Sequence, residues 1–199
     1  MEWIVPLGAD ELRSLPTPLF FVGPAFCGKS ELAEQSLSAS LKTLVIGTAD
    51  TSEPELASLV DVHKMRRPPD WLLVEHFEDL VQTMEGHLDS FDQMLVDSIN
   101  QWIAGLFVRL GPKYGLGEVQ NIAMSEASHL AKLLETSKAK SRIALITSEV
   151  ASGLPPQSAS GRYFRQTLGQ VNQLLAKASS SVVLVSSGIP TVVKSIAVR

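Results

Sequence analysis

Gly23-Pro24-Ala25-Phe26-Cys27-Gly28-Lys29-Ser30 lies between an apolar run, residues 19–22, and a segment with a helical pattern, residues 31–41. A strand, a glycine-bracketed loop that ends in Lys-Ser, and a helix form the P-loop arrangement. The glycines permit backbone conformations that let amide N–H groups point at phosphate oxygens. We predict a phosphate-binding loop in which Lys29 reaches the terminal phosphates and Ser30 is a ligand of Mg²⁺. A plain glycine-rich turn would explain the glycines, but not the Lys-Ser that follows them.

The composition fits one globular domain that does not bind nucleic acid. The chain has 199 residues, enough for one α/β domain, and we place an N-terminal extension at residues 1–17 and the domain at 18–199. A net charge of −4 argues against a broad basic surface and therefore against a nucleic-acid partner. Cys27 is the sole cysteine, which excludes an internal disulfide. Neither a signal-peptide pattern nor an apolar stretch of about 20 residues is evident, so we expect a cytoplasmic protein without a membrane span.

Apolar runs that resemble strands alternate with helical patterns along the chain. The strand candidates are residues 19–22, 43–47, 71–75, 94–97, 143–147, 182–185 and 191–193, and the main helix candidates are 31–41, 52–66, 77–84, 99–110, 119–137 and 163–178. This alternation is typical of an α/β fold with a mostly parallel sheet covered by helices on both faces. The last two strands would form an antiparallel hairpin. A nucleotide would then bind at the carboxyl ends of the parallel strands.

Two carboxylates follow predicted strands. Asp97 ends an apolar strand downstream of the P-loop, where a carboxylate can hold the water shell of Mg²⁺. The alternative is an Asp that caps the next helix. Glu75 ends the third strand candidate, and its carboxylate could accept two hydrogen bonds from guanine. Residue spacing does not separate that role from an ordinary surface carboxylate.

His63 stands on the inward face of a short predicted helix, followed by Lys64, Arg66 and Arg67. A neutral imidazole is a competent nucleophile, and adjacent cations could neutralise a phosphate under attack. The alternative is a histidine in a last helical turn, favourably placed against the helix dipole. From the residues alone the alternative is favoured. The histidines and the cysteine show no metal-ligand spacing.

Several motifs together resemble the bifunctional adenosylcobinamide kinase / adenosylcobinamide-phosphate guanylyltransferase family of cobalamin synthesis. The resemblance covers roughly residues 19–194. Its motifs are the P-loop, His63-Lys64-Met65-Arg66-Arg67-Pro68-Pro69-Asp70-Trp71 with Glu75 after it, Leu95-Val96-Asp97, residues 146–150, Phe164-Arg165, residues 169–173 and Ser187-Gly188-Ile189-Pro190.

The resemblance implies a P-loop NTPase fold with a C-terminal antiparallel hairpin, assembled as a homo-oligomer that is usually a trimer. It implies phosphorylation of adenosylcobinamide, a corrinoid, followed by transfer of GMP from GTP to the new phosphate, with ATP or GTP and Mg²⁺ required. His63 would become guanylylated, and Lys29 would act in phosphoryl transfer. By position, nucleotide binding would also involve the P-loop and Gly47, Thr48, Ala49, Lys64, Met65, Arg66, Arg67, Glu75 and Asp97.

The sequence departs from the family pattern at several loop positions. Phe26-Cys27 replaces the usual Arg-Ser, Ser148-Glu149-Val150 replaces Asn-Glu-Val, and Ala151-Ser152-Gly153 replaces Gly-x-Gly. Two alternatives therefore accompany the family reading. One is a divergent P-loop kinase or NTPase that acts on another small molecule, and the other is a nucleotide-binding regulatory protein without turnover.

Overall fold

The computed structural model describes residues 7–49, 65–75, 79–137, 140–150 and 153–196. The helices in these ranges are α1 (Ala9–Ser14), α2 (Lys29–Gln35), α3 (Leu80–His87), α4 (Ile99–Leu110), α5 (Leu116–Thr136) and α6 (Ala159–Ala178). The strands are β1 (Leu19–Gly23), β2 (Thr43–Gly47), β3 (Leu72–Val74), β4 (Gln93–Asp97), β5 (Arg142–Ser148), β6 (Ser181–Ser186) and β7 (Ile189–Ser195). Most of the predicted helix at 52–66 lies outside the described residues, and so do His63 and Lys64.

The seven strands form one sheet in the order β3-β2-β4-β5-β1-β6-β7. All neighbouring pairs are parallel except β6 and β7, which form an antiparallel hairpin. The predicted α/β class, the mostly parallel sheet and the final hairpin are therefore confirmed. The parallel order brings the carboxyl ends of β1, β2, β4 and β5 to one edge of the sheet.

Apolar side chains are buried on both faces of the sheet, as the continuous apolar strands require. Successive residues of a strand point to opposite faces, and the adjacent residues Phe20 and Phe21 accordingly enter two different clusters. The Phe20 cluster includes buried side chains of α3, α4, α5 and α6. The Phe21 cluster includes Leu12 of α1 and Ala33 of α2. In the described residues, no helix is long and apolar enough to cross a membrane.

The starts of α2, α3, α5 and α6 differ from the sequence prediction, and side-chain caps explain two of them, those of α3 and α6. The sequence predicts a helix over 163–178, but α6 begins at Ala159 because the Ser158 side chain accepts a hydrogen bond from the Gly161 N–H at 3.1 Å. It also predicts a helix over 77–84, whereas α3 begins at Leu80. There the Asp79 carboxylate accepts from the Gln82 N–H at 2.9 Å. These local side-chain bonds set the entry points of the two helices.

The segment before β1 packs onto the domain through Arg142, the first residue of β5. Its guanidinium donates to the carbonyl oxygens of Leu12, Leu15 and Ser36 at 2.9, 3.0 and 3.1 Å. Burial lowers the pKa of Arg142 because it disfavours the charged form. One partly buried cation therefore ties α1 and the end of α2 to the central sheet.

We expect Arg142→Met to lower the free energy of unfolding by about 2–4 kcal/mol, because three backbone acceptors lose a charged donor. Urea denaturation followed by circular dichroism measures the change. Arg13→Met is the matched control, since Arg13 also donates to a carbonyl, that of Leu37, but its side chain is 44% exposed. The control is expected to cost less than about 1 kcal/mol. Equal losses in the two variants would contradict the role given to Arg142.

Candidate active site

A cleft of about 420 Å³ opens at the carboxyl ends of the parallel strands. Its walls come from the P-loop, the ends of β2, β4 and β5, the first turns of α2 and α4, and the segment that leads into β3. A cavity of about 470 Å³ lies elsewhere, between α3 and α5, and has none of the predicted site residues on its walls. The smaller cleft is therefore the candidate site, because it brings the predicted residues together.

The P-loop has the backbone shape that phosphate binding requires. Gly28 has φ +92° and is the N-cap of α2, so the first N–H groups of the helix point into the loop. A side chain at Gly23 would put its Cβ 2.3 Å from the Val185 carbonyl oxygen, so only glycine fits there. The Gly188 N–H, in the turn between β6 and β7, donates to the Cys27 carbonyl at 2.9 Å. This hydrogen bond ties the C-terminal hairpin to the P-loop.

Lys29 is folded into the loop that carries it. The residue is 7% exposed. Its Nζ donates to the Pro24 carbonyl at 2.5 Å and lies 3.7 Å from the Cys27 Sγ. The ammonium is held away from solvent at the centre of the loop, where a phosphate oxygen could replace the carbonyl as its acceptor.

Ser30 and Asp97 line the same cleft and have the chemistry of a Mg²⁺ site, a hydroxyl and a carboxylate. The Asp97 carboxylate already attracts a cation, since the Arg67 Nη2 donates to its Oδ2 at 2.8 Å. The backbone beside it is held by Thr48, whose N–H donates to the Asp97 carbonyl at 3.0 Å and whose Oγ1 accepts from the Ser98 N–H at 2.7 Å. The residues present therefore fit a hydrated Mg²⁺ ion.

Arg66 and Arg67, the arginine pair, are joined to the P-loop helix by Glu34. The Nε of Arg66 donates to one Glu34 oxygen at 2.6 Å, and the Nε of Arg67 donates to the other at 2.8 Å. The side chains of Arg67 and Glu34 are 8% and 9% exposed. The hydrogen bond to Glu34 is the main cause that raises the pKa of Arg66 above its ordinary value. Two cations are thus fixed at the wall of the cleft.

Glu75 reaches the cleft across the end of β2. A Cβ built on Gly47 would lie 3.4 Å from the Glu75 Cγ and 3.7 Å from its Oε1. The absence of a side chain at Gly47 therefore leaves room for the carboxylate beside the strand end. Both residues line the cleft together with Ala49.

The family model for cobinamide kinase / cobinamide phosphate guanyltransferase (CobU) matches residues 19–193. The chain belongs to this family. It is therefore an enzyme of cobalamin biosynthesis with kinase and nucleotidyltransferase activity. The resemblance seen in the sequence motifs is confirmed.

This chain matches two relatives over nearly the whole length of each. The bifunctional adenosylcobalamin biosynthesis protein CobU of Escherichia coli (strain K12) is 29% identical over 179 residues, which are 88% of this chain and 99% of that protein. The protein of the same name from Salmonella typhimurium (strain LT2) is 30% identical over 179 residues, with the same shares covered. Family membership therefore extends over the domain rather than over the P-loop alone.

Solved structures agree on the fold. A protein from Pyrococcus horikoshii OT3 has a TM-score of 0.55 at 10% identity and covers 96% of this chain and 94% of that chain. An ATPase from the type III secretion system of pathogenic bacteria has a TM-score of 0.51 at 15% identity and covers 85% of this chain and 51% of that chain. At these identities the likeness shows the fold alone.

The cleft of this family member contains most of the site residues predicted from the sequence. Those on its walls are Ala25, Phe26, Cys27, Gly28, Lys29, Ser30, Gly47, Ala49, Arg66, Arg67, Glu75 and Asp97. Gly23, Pro24 and Thr48 contact the loop or the strand ends behind the walls, and Met65 is 80% exposed. The roles of His63 and Lys64 stay predictions.

Further wall residues of the family site are absent from the sequence prediction. They are Glu31, Leu73, Ser98, Asn100, Gln101, Ile146 and Ser148. Asn100 joins two walls, since its Oδ1 accepts from the Ser148 N–H at 3.0 Å. The signal was available for Ser98, Asn100 and Gln101, because the helix that follows Asp97 must begin at the same edge of the sheet.

Proposed function

We propose that this enzyme phosphorylates the aminopropanol hydroxyl of adenosylcobinamide and then transfers GMP from GTP to the new phosphate through a guanylyl-His63 intermediate. Family membership supports the pair of reactions. The observation that carries the proposal is the single cleft that unites the P-loop, the arginine pair, Glu75 and Asp97. We also propose a cytoplasmic homo-oligomer, a trimer by resemblance.

In the proposed phosphoryl transfer, the P-loop amides and Lys29 hold the terminal phosphates of ATP or GTP. Lys29 exchanges its bond to the Pro24 carbonyl for bonds to phosphate oxygens. The ammonium then stabilises the negative charge that develops on the leaving group. Ser30 would be a direct ligand of Mg²⁺, and Asp97 would hold its waters. When bound, Mg²⁺ supplies charge neutralisation at the phosphates.

In the proposed guanylyl transfer, a ring nitrogen of His63 attacks the α-phosphorus of GTP, and the bond to the β-phosphate oxygen breaks to release pyrophosphate. A phosphate oxygen of the corrinoid then attacks the same phosphorus, and the P–N bond returns its electron pair to the imidazole. The arginine pair would neutralise phosphate charge during both displacements. Glu75 would select guanine by accepting two hydrogen bonds from its N1–H and amino group.

The test uses GTP labelled at the α-phosphate and, in parallel, GTP labelled at the γ-phosphate. Incubation with the pure protein and Mg²⁺ is expected to leave acid-labile, base-stable label on the chain from the first nucleotide and none from the second. Peptide mapping should place the label at His63. A folded protein that binds GTP but acquires no α-label would refute the guanylyl-histidine intermediate.

A further inference from the structure

Glu34 connects the two halves of the cleft. It lies on α2 four residues after Ser30, hence on the same face of the helix. Its oxygens accept from the Nε atoms of Arg66 and Arg67, residues that belong to the segment before β3. A single carboxylate on the P-loop helix thus fixes two cations that come from more than 30 residues farther along the chain, as sequence separations of 32 and 33 show.

Arg67 is shared between two carboxylates. Its Nε donates to Glu34 and its Nη2 donates to Asp97, both at 2.8 Å. The exposed fractions of the three side chains are 8% for Arg67, 9% for Glu34 and 17% for Asp97. A guanidinium this deeply buried is costly to leave without an anion, so the loss of one carboxylate makes the other one essential.

The two ion pairs of Arg67 have different fates when a nucleotide is bound with Mg²⁺. Arg67 bonds to one Asp97 oxygen, Oδ2, and a hydrated Mg²⁺ ion that engages the same carboxylate competes with the guanidinium for its negative charge, which weakens the Arg67–Asp97 pair. Glu34 is not among the wall residues of the cleft, and it bonds to the arginine pair from α2. It can therefore keep its bond to Arg67 throughout.

We propose that Glu34 is a positioning residue that retains Arg67 at the wall of the cleft when Asp97 turns from Arg67 to the metal. The inference rests on the proposed function, since it assumes a Mg²⁺–nucleotide in this cleft. Through Glu34, binding of the metal at Asp97 would be coupled to the position of the arginine pair.

The test measures how Mg²⁺ changes nucleotide affinity in Glu34→Gln, which keeps the shape of the side chain and removes its charge. The probe is the α,β-methylene analogue of GTP, which cannot lose its diphosphate by attack at the α-phosphorus, and isothermal titration calorimetry gives Kd over a series of Mg²⁺ concentrations. We expect the Mg²⁺ concentration that gives half of the affinity gain to rise about tenfold, a usual size for coupling between sites. Without Glu34, Arg67 holds Asp97 more tightly against the metal.

Asp89→Asn is the matched control, because it also turns an ion-pairing carboxylate into an amide, in the exposed Lys140–Asp89 pair. Its Mg²⁺ dependence should equal that of the wild type. Glu34→Asp, which also serves if Glu34→Gln does not fold, keeps the charge on a shorter side chain and is expected to shift the Mg²⁺ dependence in the same direction by a smaller factor.

A simple charge effect also raises the Mg²⁺ requirement of Glu34→Gln, because a more positive cleft repels the metal. It predicts no change in Glu34→Asp, which keeps the charge, so Glu34→Asp is measured in parallel and an unshifted Mg²⁺ dependence there would contradict a positioning role. Stronger binding, or an unchanged Mg²⁺ dependence, in a folded variant would overturn the role of Glu34. A wild-type protein that does not bind the analogue at any Mg²⁺ concentration would instead refute the proposed function. The two failures are therefore distinguishable.

Discussion

Lys29→Met is expected to slow phosphoryl transfer to adenosylcobinamide by a factor of about 10²–10³, the usual cost of removing one charge-stabilising donor from an active site. Methionine reproduces the length of the lysine stem but offers no donor to the phosphates. The measurement is the initial rate of corrinoid phosphorylation at saturating ATP and at saturating GTP. Lys29 is buried, but in the described residues its ammonium bonds to atoms of its own loop. Its removal therefore leaves the contacts between helices and sheet in place, and the fold should survive.

Lys140→Met serves as the control for Lys29→Met. Lys140 lies in an exposed pair with Asp89, in which its side chain is 53% exposed, and no wall of the cleft contains it. The control should keep the wild-type rate and the wild-type melting temperature. A Lys29→Met enzyme that is folded and as fast as this control would show that the P-loop ammonium does not participate in the transfer.

The sheet could be predicted because its strands carry their own signal. Runs such as residues 43–47 and 143–147 are mostly apolar and rich in β-branched residues, which is typical of a strand buried on both faces. The order β3-β2-β4-β5-β1-β6-β7 has no such local signal. The strand order depends on which helix covers which face of the sheet, and no local sequence pattern predicts that.

The P-loop could be predicted residue by residue, since its function depends on consecutive backbone positions. Glu34 could not, because its role arises from contacts with Arg66 and Arg67, 32 and 33 residues away. Arg142 was missed for the same reason: its acceptors at Leu12 and Leu15 precede it by 130 and 127 residues. Chemistry that depends on long-range ion pairs requires the fold to be known first.

Thr48 makes contacts that its position in the sequence does not reveal. The family resemblance places Thr48 among the nucleotide-binding residues. In the structure its hydroxyl donates to the Ser98 carbonyl at 2.6 Å and accepts from the Ser98 N–H, beside Asp97. Sequence position alone therefore located the end of β2 at the site, while the structure shows a side chain that orders the neighbouring strand end.

His63→Ala is expected to abolish the covalent α-label and to lower GMP transfer by a factor on the order of 10⁴–10⁶, the scale seen when an enzyme loses its nucleophile. Alanine removes the imidazole that would carry the GMP group. The formation of the corrinoid phosphate should continue, because Lys29, Ser30 and Asp97 remain to hold the nucleotide that donates the γ-phosphate. Parallel assays of corrinoid phosphorylation and of GMP transfer from α-labelled GTP measure both effects in one preparation.

The contrast between Lys29 and His63 variants separates the proposed enzyme from its alternatives. His87→Ala is the control for His63→Ala, since the His87 Nδ1 lies 2.7 Å from the Thr83 carbonyl on α3, away from the cleft. A divergent kinase would depend on Lys29 and be indifferent to His63, because one displacement at the γ-phosphorus needs no covalent carrier. A regulatory protein would bind GTP and gain thermal stability from it, yet form no product in any variant. The proposed enzyme predicts that His63→Ala loses GMP transfer but keeps phosphorylation. Only this outcome requires two different groups to attack two different phosphorus atoms.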